Sequence, residues 1–308
     1  MAPHLQVKVK RGESIWDHIL HAQPNLTKDS GNGDVAADSY HKHKEDVKLL
    51  VGLNANCYRF SLSWPRILPT GDTDVINQAG IDYYNNVINE LLANGIDPTA
   101  STSPATSYKP QTAVVKMWLT FNEPNMFSRG YSGASSAPGA NSSGIADYLM
   151  AKTILEAHAH AYRLYGLSFR LKQRGKVGIT LDGAWYEPLT NSKEDADASE
   201  RQLQFEVGLW ANPIFSSLGN FPEVVRQRVA ANSTADFFGL NHYFSSFITS
   251  GSSGQEPSKL HDAGVATSII LGYPISYWIT DVPWGLRKLL NWVHDSYPGY
   301  PIFVTENG

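Results

Sequence analysis

The chain has almost no cysteine. One residue, Cys57, stands among 308, which excludes an intramolecular disulfide framework and any metal centre built on several thiolates. Its place in the strand-like run N-C-Y-R-F-S at residues 56–61 marks it as an expected small core residue. Basic charge is also short: 25 Lys and Arg against 29 Asp and Glu leave a net −4. Nucleic-acid binders carry basic patches that neutralise phosphates, so no nucleic-acid partner is expected. No apolar run approaches the roughly 20 residues a membrane span needs. A G-x-G-x-x-G turn and a Walker-type loop are both missing, which leaves a nucleotide without its usual cradle. His41 and His43, like His158 and His160, stand two apart in helical stretches and so on different faces, a poor chelating geometry. Neither a metal nor a cofactor is expected. The first ten residues lack the apolar stretch of about 7–15 residues found in a secretory signal. Three Asn-x-Ser/Thr sequons, at Asn25, Asn141 and Asn232, nevertheless point to a glycoprotein of the secretory pathway; the alternative is a cytoplasmic protein.

What is present is an alternation of strand-like and helix-like runs, the pattern of an α/β fold with a largely parallel sheet. Strands are expected at residues 56–63, 96–101, 116–121, 176–181, 235–243 and 301–305. Helical spacing of apolar residues marks 38–50, 81–94, 147–165, 194–205 and 284–292, and Gly95 reads as a helix stop. Long loops follow the strand ends, notably residues 245–267, and no linker forces a division, so residues 1–308 read as one (β/α) barrel domain. An open doubly wound sheet is the rival arrangement.

Two segments carry the chemistry. W-L-T-F-N-E-P-N at residues 118–125 and P-I-F-V-T-E-N-G at residues 301–308 each end an apolar run with Asn and Glu side by side. Each would deliver a carboxylate, Glu123 or Glu306, to the exit of a strand. Two carboxylates suit cleavage of a glycosidic bond, which needs one acid and one nucleophile or base. The plain alternative is that each Glu merely ends a strand in water.

Five blocks identify a resemblance: S-I-W-D at residues 14–17, Y-R-F-S-L-S-W-P-R-I-L-P at 58–69, W-L-T-F-N-E-P at 118–124, D-F-F-G-L-N-H-Y at 236–243 and I-F-V-T-E-N-G at 302–308. A-H-A-H-A-Y at 157–162 and P-W-G-L at 283–286 agree with them. The chain resembles the family 1 glycoside hydrolases, the β-glucosidase family, and most of all their animal members. The resemblance runs from Gly12 onward and implies a (β/α)8 TIM-type barrel. It implies a retaining β-glycosidase acting on a small β-glycoside or oligosaccharide without a cofactor, with Glu123 as general acid/base and Glu306 as nucleophile. Arg59 resembles the arginine that stabilises the nucleophile, Asn122 the asparagine that binds the sugar 2-hydroxyl, and Tyr243 the tyrosine bonded to the nucleophile. Asn241 is expected to line the same region. On the residues alone, a structural ion pair is the alternative for Arg59, and an ordinary strand-end polar residue the alternative for Asn241 and Tyr243. Of the eight tryptophans, Trp278 is the candidate sugar-stacking platform, and most of them, Trp16 and Trp64 included, read as packing residues. Plant thioglucosidases of this family carry Gln where this chain has Glu123, so Glu123 favours an O-glycosidase.

The chain also departs from the family pattern. The opening strand with its Q-I-E-G-type segment is missing or reduced to L-Q-V-K-V at residues 5–9, with Gln6 a weak stand-in. The H-W-D segment and the helix after it are replaced by T-A-S-T-S-P-A-T-S-Y at residues 99–108. A helix-bearing stretch is skipped at residues 228–234, and nothing follows Gly308. The expected fold is therefore an incomplete barrel with its first and last strands missing or reduced. Raw edges and an exposed apolar interior would then leave a marginal product. A catalytically inactive binding or regulatory module, or a non-functional truncated gene product, is the alternative to an active enzyme.

Overall fold

The computed structural model describes residues 11–101, 115–134, 136–216, 233–251, 254–271, 273, 275–276 and 279–308. The chain gathers into two compact units, Met1–Leu119 with Ser168–Gly175, and Thr120–Leu167 with Lys176–Gly308.

The first unit is built on parallel pairing. Strand β1 (Cys57–Ser61) runs beside β2 (Asp97–Ser101) with Arg59 opposite Thr99, and β2 runs beside the start of β3 (Met117–Asn122) with Thr99 opposite Met117. The helix Gln78–Ala93 crosses between β1 and β2 and buries Tyr84, Val87, Ile88 and Leu91, residues three or four apart on one face. It stops at Asn94, where Gly95 takes φ +72°, a left-handed turn that costs glycine little. The helix Ile15–Ala22 opens on a reciprocal cap: the Asp17 amide donates to Ser14 Oγ at 3.1 Å and the Ser14 amide to Asp17 Oδ2 at 2.8 Å. Cys57 departs from expectation. It is exposed, at the first position of β1, with Sγ 3.4 Å from Thr99 Oγ1. An apolar run specifies extension, but burial requires a covering layer, and both ends of β1 lack one.

The second unit holds the larger core. Strand β4 (Lys176–Asp182) pairs parallel with β6 (Phe237–His242), and β6 with β11 (Ile302–Asn307). A smaller sheet combines β5 (Trp185–Pro188), β7 (Ser245–Ser250) and β8 (Val265–Ile269), while β9 (Ile275–Ser276) and β10 (Ile279–Thr280) form a short antiparallel pair. Every residue of β6 is buried. Ile179, Leu181, Trp210, Ile214, Phe238 and Leu240 are fully enclosed around it. Gly239 is required here, because a Cβ would meet Thr180 Oγ1 at 2.6 Å and the Ile179 carbonyl at 2.9 Å. The helix Ala146–Ser168 places His158 in this core, with Nδ1 2.6 Å from Thr120 Oγ1. All six expected strands are present, as are the five expected helices, each with shifted ends. Among the described residues no helix is long and apolar enough to cross a membrane.

Candidate active site

The motif around Glu123 is a corner. β3 ends at Asn122, and the helix Pro124–Ser132 begins two residues later with proline at its first position, where a missing N–H costs nothing. Glu123 occupies the corner itself with φ +48° and ψ +61°. This left-handed conformation is strained for a non-glycine residue and is disfavoured again by the proline that follows. Strain of this kind persists where surrounding bonds over-determine it. The Glu123 amide donates to the Thr180 carbonyl at 2.9 Å, which ties the corner to β4.

Glu306 reaches the same place by a different device. Along the β11–β6 pair, Val304 stands opposite Leu240 and Glu306 opposite Asn241, so Thr305 is an extra residue, a local irregularity in the ladder. Such irregularities re-aim side chains beside functional sites. Thr305 Oγ1 donates to Asn241 Oδ1 at 2.6 Å. That bond fixes the amide orientation, and Asn241 Nδ2 donates to Glu123 Oε1 at 2.7 Å and to Asn122 Oδ1 at 3.3 Å. Tyr243, just past β6, joins the two carboxyls: its hydroxyl lies 2.8 Å from Glu123 Oε1 and 2.5 Å from Glu306 Oε2. Those two carboxyl oxygens therefore stand no farther apart than 2.8 and 2.5 Å laid end to end.

The structure thus brings together Glu123, Glu306, Asn122, Asn241 and Tyr243 within the second unit. Arg59 lies half-buried in β1 of the first unit. Trp278 lies outside the described residues.

A cavity of about 620 Å³ opens beside the pair, lined in part by Glu123, Arg129, Asp182, Glu206, Tyr243 and Phe244. Asp182 and Glu206 were not among the expected site residues. Asp182 had a signal, since it follows directly on the strand expected at 176–181; Glu206 sits in the π-helical turn Gln204–Gly208 and had none. Burial pushes the Asp182 carboxyl up to about 7, helped by the charges of Glu206 and Glu123 and opposed by the Asn125 amide. Burial holds His242, two residues before Phe244, down at about 4 and therefore neutral. Lys259 is also pushed down by burial, and its ammonium donates to Asn125 Oδ1 at 2.7 Å. Among the described residues no group of three or more His, Cys, Asp or Glu side chains is placed to hold a metal ion.

The model of glycosyl hydrolase family 1 matches residues 8–103 and 104–308. The chain belongs to this family. Myrosinase 1 of Brevicoryne brassicae is 36% identical over 351 aligned positions, covering 97% of this chain and 75% of that protein. Because 351 positions exceed the 308 residues available, segments of the relative have no counterpart inside the matched span. The lactase/phlorizin hydrolase of Homo sapiens is 34% identical over 97% of this chain but 18% of its own length. Among solved structures, an aphid myrosinase superposes with a TM-score of 0.88 at 35% identity, covering 97% of this chain and 75% of that one. The rice Os3BGlu6 β-glucosidase superposes at 0.86 with 30% identity, covering 97% and 74%. The parallel strands and flanking helices are thus those of a family 1 TIM-type barrel, incomplete in this chain, and the chain is by family a glycoside hydrolase.

Proposed function

We propose that this family 1 chain is a retaining β-glycosidase of β-glucosidase type, cleaving terminal β-linked O-glycosides by double displacement. The observation that carries the reading is the Tyr243 hydroxyl held between Glu123 and Glu306. Its two short contacts keep the nearest carboxyl oxygens closer than the roughly 6.5–9.5 Å that an inverting site needs for its water, which supports retention, for which about 5–5.5 Å is usual. In the first step Glu123 gives its proton to the leaving oxygen while a Glu306 oxygen attacks the anomeric carbon, so the C–O bond breaks as a glycosyl ester forms. In the second, Glu123 takes a proton from water, and the hydroxide displaces Glu306 and restores both carboxyls. One hydroxyl hydrogen cannot serve two acceptors at once. Tyr243 therefore donates to one carboxyl and accepts from the other when that one is protonated, a path by which a proton shifts between the two. Asn241, fixed by Thr305, orients Glu123, and Asn122 is assigned to the sugar 2-hydroxyl by resemblance. Arg59 is assigned to the nucleophile's support by resemblance alone. A rice Os3BGlu6 β-glucosidase variant has been solved in a covalent complex with Glc, and a Humicola insolens β-glucosidase, 32% identical, with glucose. These support glucose as the first sugar to offer.

The test is turnover of an aryl β-glucoside with the first-formed sugar anomer followed by proton NMR. β-Glucose appearing first supports retention, whereas α-glucose overturns it. Glu306→Gln should lower kcat by about a thousandfold or more. A folded chain with no turnover would favour the inactive binding module.

A further inference from the structure

We propose that Thr180 and Thr305 are positioning residues, whose hydroxyls meet over Gly239 and close a ring of hydrogen bonds around Glu123. The inference rests on the reading of Glu123 as first acid and then base, and concerns what keeps it fit for the second role. Thr305 stands on β11 and Thr180 on β4, with β6 between them. Backbones two strands apart are separated by about 9.5 Å, a gap that an intervening side chain normally fills. Here the position between them is Gly239, paired with Thr180 on one side and Phe303 on the other. A Cβ at Gly239 would meet Thr180 Oγ1 at 2.6 Å. Glycine leaves the space in which Thr180 Oγ1 comes within 3.3 Å of Thr305 Oγ1, and the irregularity in β11 falls at Thr305 itself.

The donors in the ring can be assigned. Asn241 Oδ1 can only accept, so the one hydroxyl hydrogen of Thr305 goes to it at 2.6 Å. Thr180 therefore donates across the 3.3 Å contact. Asn241 Nδ2 donates to Glu123 Oε1 at 2.7 Å, and the Glu123 amide donates back to the Thr180 carbonyl at 2.9 Å. The strained corner and the carboxyl of one residue are thus held by a single closed path through β4, β11 and β6. Thr180 and Asn241 are fully buried. Without the Thr305 hydroxyl, Asn241 Oδ1 is left a buried acceptor without its donor, and the amide is released to turn away from Glu123.

Donation from that amide favours an ionised carboxyl over a protonated one. Glu123 must be ionised to take a proton from water in the second step, whereas the first step needs it protonated. The ring therefore serves the second step above the first. The other charged and titratable groups around Glu123 are Glu306 and Tyr243, Asp182 at the end of β4, and Glu206 and Arg129 beside the same cavity. None of them is a member of the ring, so all stay in place when a threonine hydroxyl is removed.

The test is Thr305→Val, which keeps the shape and removes the hydroxyl, read first on the β-glucoside of a strongly acidic phenol. Such a phenol departs with little help from an acid, so hydrolysis of the glycosyl ester limits kcat while kcat/KM reports the first step. The value of kcat should fall about tenfold and that of kcat/KM no more than about threefold. With phenyl β-glucoside, whose departure needs the acid, the alkaline limb of kcat/KM should move up by about half a pH unit or more. Thr305→Ser, which keeps the hydroxyl, should recover most of each change. Should Thr305→Val not fold, Thr180→Val removes the bridge from its far side and should show the same asymmetry at about threefold in kcat. Equal losses in kcat and kcat/KM with an unmoved limb, or a serine variant no better than the valine one, overturn the positioning role and leave the glycosidase reading standing. Absent turnover by the unmodified chain removes the glycosidase reading instead. The Asn241 side-chain amide signals in 15N NMR then test the ring alone: it stands if Thr305→Val shifts them and Thr305→Ser restores them, and falls if they do not move.

Discussion

Strand β6 is buried at every position from Phe237 to His242, whereas β1 is exposed at both ends and half-covered between them. Both are short strands, and both pair in parallel. The difference lies in their neighbours. β6 has β4 on one side and β11 on the other, with Trp210, Ile214 and Leu289 packed over it; among the described residues β1 pairs with β2 alone. A parallel strand reaches full burial only when paired on both sides and covered on both faces. Precision in placing a carboxyl follows the same rule, and the asparagine that orients Glu123 comes from β6.

Substitutions can break or sharpen that contrast. The largest effect is expected from truncating the same residue type in each strand. Phe238→Ala in β6 should destabilise by about 3–5 kcal/mol in a denaturant titration, while Phe60→Ala in β1 should cost about half as much. Equal costs would remove the distinction. Next comes Gly239→Ala. The added methyl meets Thr180 Oγ1 and the Ile179 carbonyl at 2.6 and 2.9 Å, so about 1–3 kcal/mol of overpacking is expected. A melt unchanged from wild type would mean that β4 and β6 can part.

Acid should act on the buried strand as well. His242 in β6 and His158 beneath it are both held down at about 4 by burial, against 6.5 in the unfolded chain. Between those values the unfolded chain binds the protons and the folded chain does not, so stability is full above about pH 6.5 and is lost as pH falls toward 4. A melting temperature that holds level from pH 7 to pH 4.5 would contradict this. The smallest effect belongs to β1: Cys57 should react with a maleimide in the folded chain, and Cys57→Ser should shift stability by less than about 0.5 kcal/mol. Protection until unfolding would restore Cys57 to the core.

Much of this was legible in the sequence because the informative residues are local. The apolar runs around Phe121 and Val304 and the Asn-Glu steps after them state where the strands end, and Gly95 states where a helix stops. Glu123, Glu306, Asn122, Asn241 and Tyr243 follow from those steps and from the family blocks. Less legible was whatever depends on layers. Cys57 lies in an apolar run but under no cover. Glu206 sits in a helical turn and becomes a cavity wall only through the packing of that turn near Asp182 and Ala184. The extra residue Thr305, which aims Glu306, appears only when β11 is laid against β6.

The left-handed corner at Glu123 sets stability against reactivity at one position. Asparagine or glycine would occupy that backbone with less strain, but neither can hand a proton to a departing oxygen. Drift that no longer has to preserve turnover is therefore drawn toward a sturdier, silent protein at this corner, and selection for catalysis must keep opposing that drift. The residue that this chain carries at that corner is a glutamate, the side chain that the proposed mechanism needs there.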